Sequence, residues 1–210
     1  MIKDVKKAAF FLSILTLAAG CANNEYPPLG ATTTKQPLTT NPSNYNYRIG
    51  PGDQLQVFVW RNPELSTNVS VRPDGKVTSP LIEDISVSGK TATEVARAFE
   101  KELAKYIRDP IVTVLVEGFT GPYSEQVRIV GEASQPQAIA YREDMTLLDV
   151  MIAVGGLTEF AAGNKATLVR VEDGGQKQYS IRLEDLIEGD ISANGDVLPG
   201  DVIIVPEAIF

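Results

Sequence analysis

The sequence predicts an α+β protein made of two small units in tandem, and three patterns predict it. Apolar residues alternate in short runs, as in half-buried strands. A four-residue recurrence marks one amphipathic helix in the first unit, and a second, shorter helical pattern lies among strands in the second. The 210 residues are enough for two modest domains behind a leader.

The first unit covers residues 47–118. Gly50-Pro51-Gly52-Asp53 reads as a turn: proline fixes φ, Gly52 accommodates φ > 0, and aspartate bonds nearby backbone. It launches Leu55, Val57 and Val59, which alternate as a strand does. Val69 and Val71 alternate likewise and run to Asp74-Gly75, a hairpin signal with Lys76-Val77-Thr78 as the returning strand. Thr91-Ala92-Thr93-Glu94 is a capping box, after which Val95, Phe99 and Leu103 recur with Ala96 and Tyr106 alongside. That helix should end before Asp109-Pro110, and the β-branched run from Ile111 to Val116 reads as a buried strand.

Residues 119–125 form a linker. The stretch from Gly118 to Ser124, with Gly121-Pro122 at its centre, reads as a hinge between units. In the second unit, residues 126–207, Val127, Ile129 and the stretch from Pro136 to Tyr141 predict paired strands. Thr146-Leu147-Leu148-Asp149 opens a helix through Ile152 that Gly155-Gly156 closes. Leu168 to Val171, Asp173-Gly174-Gly175 and Tyr179 to Ile181 predict a hairpin. A short helix near Glu184 to Ile187 then precedes Pro199-Gly200-Asp201 and a last strand, Val202 to Val205. Strands wrapped around one main helix make this a small α+β unit of the β-grasp kind.

The N-terminus reads as an export signal. Lys3, Lys6 and Lys7 precede an uncharged stretch from Ala8 to Ala19, too short to span a bilayer but suited to a signal-peptide core. It ends in Leu17-Ala18-Ala19-Gly20-Cys21, small residues before the single cysteine, as in a bacterial lipoprotein signal. Residues 1–20 are therefore expected to be cleaved and Cys21 to be acylated, two chains making the anchoring stable. Ala22, rather than aspartate, after the cysteine favours the outer membrane, at its periplasmic face. Residues 21–46 are rich in Pro, Thr and Asn and read as a lipidated tether, about 80 Å if extended and roughly 30 Å as a coil.

Composition closes off other functions. With one cysteine there is no internal disulfide, and with no histidine there is no Ser-His-Asp triad, Cys-His pair or histidine-containing zinc site. The net charge is −8, and removing residues 1–20 leaves a mature chain near −10, because three lysines leave with one aspartate. That argues against nucleic acid as a partner. It also suits a conduit for an acidic polymer better than a tight receptor.

The ordered motifs carry a resemblance. Tyr47-Arg48-Ile49-Gly50-Pro51-Gly52-Asp53, Val71-Arg72-Pro73-Asp74-Gly75-Lys76-Val77, Gly89-Lys90-Thr91 and Tyr106-Ile107-Arg108-Asp109-Pro110 resemble the export domain of the outer-membrane polysaccharide export family. Val130-Gly131-Glu132, Met145 to Asp149, Ala153 to Leu157 and Leu198-Pro199-Gly200-Asp201 resemble that family's soluble ligand-binding β-grasp (SLBB) domain. The run from Gly155 to Asn164 and the end Val205-Pro206-Glu207 are similar to the subgroup linked to exosortase and PEP-CTERM systems. The resemblance implies a homo-oligomeric ring through which a polysaccharide leaves the cell, above an inner-membrane polysaccharide co-polymerase. No cofactor is implied. Longer members add a pore-lining C-terminal helix; here only four residues follow Pro206, so a separate outer-membrane β-barrel is the expected partner.

Several residues invite chemistry. The aspartates of the two Pro-Gly-Asp turns read first as turn formers, with a ring interface as the lesser alternative. Arg48, Arg72 and Arg108 read as partners of surface carboxylates, and the Asp74-Gly75 tip could face a lumen. Trp60, at a strand end, is expected to be packed rather than sugar-stacking. Glu83-Asp84, Asp144 and Asp149 raise a glycosidase question. Strand neighbours such as Glu83 and Asp84 should point to opposite faces, however, and Asp149 is accounted for as the helix-cap partner of Thr146. The expectation is an export component without catalysis. The alternative is a periplasmic saccharide-binding or sensing module, and a carbohydrate hydrolase is a third reading.

Overall fold

The computed structural model describes residues 45–209. The expected signal peptide at 1–20, Cys21 and the tether up to residue 44 lie outside the described residues. The fold is α+β, with two lobes that each enclose a core of their own.

The first lobe runs β1 (Gln54–Val59), β2 (Thr67–Ser70), β3 (Lys76–Ser79), β4 (Ile82–Ser86), α1 (Ala92–Leu103) and β5 (Val112–Glu117). β1 lies between β2 and β5 and is antiparallel to both, while β3 and β4 form a separate antiparallel pair. Alternation along β1 turns Leu55, Val57 and Val59 inward and Gln54, Gln56 and Phe58 outward. Val95, Ala96, Phe99 and Leu103 of α1 are buried in the same core. Each such large apolar side chain contributes about 1.5–3 kcal/mol by leaving water.

Three expectations change here. Asp74-Gly75 does turn the chain, with Gly75 at φ 75° and its N–H donating to the Arg72 carbonyl at 2.8 Å. Yet β3 does not return along β2; it pairs with β4. Pro73 has no N–H to extend the β2 ladder, and the Arg72 N–H closes the turn on the Lys76 carbonyl instead. β5 is buried on one face only, with Ile111 and Leu115 both more than half exposed. This fits an antiparallel sheet that can leave one face to solvent. Tyr106 lies beyond the end of α1 and is exposed.

The second lobe contains β6 (Gln126–Gly131), β7 (Ala138–Ala140), α2 (Leu147–Val154), β8 (Thr167–Glu172), β9 (Gly175–Ser180), α3 (Leu183–Glu188) and β10 (Val202–Val205). Its sheet order is β7-β6-β10-β8-β9, with β10 parallel to β6 and antiparallel to β8. Leu147, Val150, Met151 and Val154 of α2 belong to the core that also holds Val127, Ile129, Leu168, Ile203 and Val205. The paired strands, both helices, the 173–175 hairpin and the last strand stand where the sequence places them. Gly131 is required where β6 meets β10, because at φ 92° a Cβ would lie 2.0 Å from the Val205 carbonyl oxygen.

Both capping boxes form. The Glu94 N–H donates to the Thr91 hydroxyl oxygen at 3.2 Å, and the Thr91 N–H donates to the Glu94 carboxylate at 2.7 Å. At the second helix the Asp149 carboxylate accepts from the Thr146 N–H at 2.9 Å and from its hydroxyl at 2.7 Å. The Thr91 backbone hydrogen bond holds the Glu94 carboxyl below its ordinary value, and the Thr146 hydroxyl does the same for Asp149. A carboxyl depressed in the folded state stabilises above its unfolded pKa and loses that contribution as pH falls through the folded one. In urea unfolding the double variant Glu94→Gln/Asp149→Asn should therefore be less stable than wild type above about pH 5, with the gap narrowing as pH falls through the acidic range. A gap of equal size at every pH would contradict this.

Candidate functional site

Two buried carboxylates, one in each lobe, organise the chain around them. In the first turn Gly52 takes φ 96° and the Asp53 N–H donates to the Gly50 carbonyl at 3.2 Å. Asp53 is fully buried. Its Oδ2 accepts the Gly50 N–H at 2.9 Å and the Tyr47 hydroxyl at 2.6 Å; its Oδ1 accepts the N–H groups of Thr120 and Gly121 at 2.6 and 3.1 Å. A buried anion is tolerated when charge-assisted donors replace its water, and here four do so. The contact is close: a Cβ on Gly50 would sit 2.0 Å from the Gly121 carbonyl carbon. Burial, followed by the Asp53 hydrogen bond, pushes the Tyr47 hydroxyl well above its ordinary pKa, so it stays a donor.

The stretch expected to hinge is thus tied at Thr120 and Gly121 to the first turn. Gln126 adds to this by donating from its side-chain amide to the Thr120 and Gly121 carbonyls at 3.1 and 3.2 Å. Two tyrosines at the start of the described chain divide between the cores. Tyr47 packs edge-on against Phe119 at 5.2 Å, and Tyr45 packs edge-on against Tyr141 at 5.0 Å. The Tyr45 hydroxyl donates to the Tyr141 carbonyl at 3.3 Å, and burial pushes its pKa up to about 12.

The second turn, Leu198-Pro199-Gly200-Asp201, repeats the first locally. Gly200 takes φ 84°, the Asp201 N–H donates to the Leu198 carbonyl at 3.2 Å, and the Leu198 N–H donates to Asp201 Oδ2 at 2.7 Å. Beyond the turn the partner differs. Arg170 of β8 grips Asp201 with two parallel bonds, Nε to Oδ1 at 2.9 Å and Nη2 to Oδ2 at 2.7 Å. Both aspartates are fully buried, which corrects the idea that they face a ring interface. Each folds back on its own turn and spends its second oxygen on a remote partner.

The other candidates lie on the surface. Arg48 pairs with Glu94 at 3.2 Å, and Arg72 pairs with Asp74 and Asp84 at 2.6 Å each. Arg108 is exposed, with no ion pair among the described residues. Glu83 and Asp84 are both exposed rather than divided between faces, because the β3–β4 register shifts between Val77 and Ser79. They border an open groove of about 670 Å³ with Thr78, Leu81, Glu102 and Tyr106. Asp149 serves its helix cap. The run from Gly155 to Asn164 has a structural account at Gly163, where a Cβ would come within 2.6 Å of the Leu157 side chain.

Trp60 overturns its expectation. It is 54 % exposed on the outer face of the three-stranded sheet, 6.4 Å from the ring of Phe58. Phe58 was missed, although its place two residues before Trp60, opposite in phase to Leu55, Val57 and Val59, signals the shared outer face.

The two aspartates make separable predictions. Asp201→Ala strands the Arg170 fork and should cost about 3–5 kcal/mol. Asp53→Ala leaves three N–H groups and a hydroxyl without their acceptor and should cost at least about 3 kcal/mol. Only Asp53→Ala should speed amide exchange at Thr120 and Gly121, as read by hydrogen exchange under conditions where both variants remain folded. Unchanged exchange there would show that the linker is held by other contacts.

Among the described residues no helix is long and apolar enough to cross a membrane. Residues 41–117 match the polysaccharide biosynthesis/export protein family, and residues 126–182 match the SLBB domain. The EPS I polysaccharide export outer membrane protein EpsA of Ralstonia nicotianae is 29% identical over 186 residues, covering 77% of this chain and 47% of its own length. EpsA of Ralstonia solanacearum is 28% identical over 182 residues, covering 75% of this chain and 47% of its own. The exopolysaccharide production protein ExoF of Rhizobium meliloti is 29% identical over 132 residues, covering 57% and 30%. The chain spans about half the length of the EpsA proteins it matches. A polysaccharide biosynthesis/export domain followed by an SLBB domain, together with these relatives, supports a place for the chain in the polysaccharide export protein family.

Proposed function

We propose that this chain is a non-catalytic, lipid-anchored component of a machine that exports an exopolysaccharide or capsule polymer across the cell envelope. The observation that carries the reading is the order of the two matched domains in one chain, shared with proteins named for polysaccharide export. The Asp53 network adds physical support. A conduit must hold its parts in one geometry while a polymer passes, and the linker here is hydrogen-bonded rather than free. The carboxylates raised as catalytic candidates are exposed or serve a cap, with Asp84 drawn into ion pairs with Arg72 and Lys76.

In this reading copies assemble as a ring between an inner-membrane co-polymerase and an outer-membrane barrel, partners that rest on the family resemblance. The exosortase-linked subgroup, carried by residues 155–164 and 205–207, belongs to the same proposal. Deleting the protein should abolish surface polysaccharide, and in-cell crosslinking should recover self-contacts and an outer-membrane protein. Normal polymer yield after deletion, with a monomer that binds free sugar, would favour the sensing alternative instead.

The anchor is a separate claim. Cys21→Ser should move a folded protein from the membrane fraction to the periplasm and lower polymer yield. Unchanged fractionation would show that something other than acyl chains holds the protein at the membrane.

A further inference from the structure

The outer face of the β2-β1-β5 sheet differs from the rest of this acidic chain. Along β1 it presents Gln54, Gln56 and Phe58, and Trp60 follows on the same side. Register brings Asn68 of β2 opposite Gln56, and Thr113 and Leu115 of β5 opposite Phe58 and Gln56. All of these are exposed. The positions around Phe58 carry no charge; a carboxylate of the same face, Glu117, stands opposite Gln54 at the end of the sheet away from Trp60, and Arg61 borders the groove beside Trp60.

The face combines two kinds of group. Phe58 and Trp60 are about half exposed, side by side, with ring planes 63° apart. Around them stand the amides of Gln56 and Asn68, whose side chains make no hydrogen bond within the described protein and so offer donors and acceptors outward. Two shallow grooves flank Phe58. One, about 220 Å³, lies between Phe58, Trp60, Arg61 and Pro63; the other, about 270 Å³, lies between Gln56, Phe58, Ser66 and Asn68. Both are open and smaller than the roughly 300–1,000 Å³ clefts that enclose small molecules. An extended ligand lying across the sheet fits them better than one sealed inside.

We propose that this sheet face is a contact platform for the polysaccharide chain, with Phe58 and Trp60 stacking on sugar rings and the Gln56 and Asn68 amides bonding hydroxyls. The proposal rests on the export reading and assigns it a surface. A pyranose ring presents a face of weakly polarised C–H groups, which complements the negative face of an aromatic ring, and an edge of hydroxyls, which complements amides. The two grooves beside Phe58 are lined by no carboxylate, which spares a polymer that carries carboxylates the repulsion it would meet from exposed Asp and Glu elsewhere.

Trp60 is the only tryptophan in the chain, so its fluorescence reports on this face alone. The full-length protein in detergent is titrated with short oligosaccharides cut from the surface polysaccharide of the producing cells. The expected result is a saturable change in Trp60 emission, reduced quenching by acrylamide, and an affinity at least about tenfold weaker by calorimetry in Phe58→Ala, with Trp60→Phe less affected. Trp60 emission and quenching that ignore the oligosaccharide overturn the platform, as does equal affinity in Phe58→Ala. So does a Trp60 signal that depends on protein concentration instead of sugar and vanishes with the oligomer in Phe58→Ala, which would mark a contact between copies. Deletion that abolishes surface polymer while Trp60 stays silent refutes this platform and leaves the export reading standing.

Discussion

Four donors converge on the Asp53 carboxylate, and the path of the chain from the first lobe into the second depends on them. Each charge-assisted bond is worth about 1.5–3 kcal/mol, against a desolvation cost of several kcal/mol for the buried anion. The net gain is modest; the geometric demand is not. Tyr47 and Gly50 precede Asp53 closely, whereas Thr120 and Gly121 lie 67 and 68 residues away. One placement of the linker satisfies all four, and a displaced linker would leave an uncompensated charge in the interior. The tight approach of Gly50 to Gly121 adds a steric limit to the electrostatic one.

Asp201 solves the same local problem by another route. Its turn matches that of Asp53 bond for bond, but a guanidinium that grips both oxygens takes the place of the linker's backbone amides. An arginine fork fixes one side chain of β8 within a single sheet. Backbone amides of a connecting segment instead fix the course of the chain between lobes. The same three-residue motif therefore closes a strand entry in one place and fastens a linker in the other, and the difference lies wholly in what the fold brings near.

That division separates what was legible in the sequence from what was not. The capping boxes at Thr91 and Thr146, the Gly155 termination and the alternation of β1 were readable because each is settled within a few residues. The pairing of β3 with β4 was not, since a turn signal fixes where the chain reverses but not which neighbour takes the following strand. Trp60 and β5 failed for a related reason: a period of two assigns residues to faces without saying which face a helix will cover. The burial of Asp53 and Asp201 was hidden because Pro-Gly-Asp describes a turn equally well at the surface. The site candidate at Cys21 lies outside the described residues.

The export reading and the aromatic sheet face bear on each other through affinity. A receptor profits from an enclosed cleft that buries most of its ligand; a conduit must let each segment of polymer go in order to accept the next. Open grooves beside two aromatic rings supply contact area without enclosure, and amides supply hydrogen bonds that water can replace at little cost. Some of the charged residues follow the same logic, pairing with one another at the surface around Arg72 and Arg182. On this reading rigidity is placed in the buried carboxylates and weak, exchangeable contact on the exposed sheet, the distribution a passage requires and a tight binding site does not.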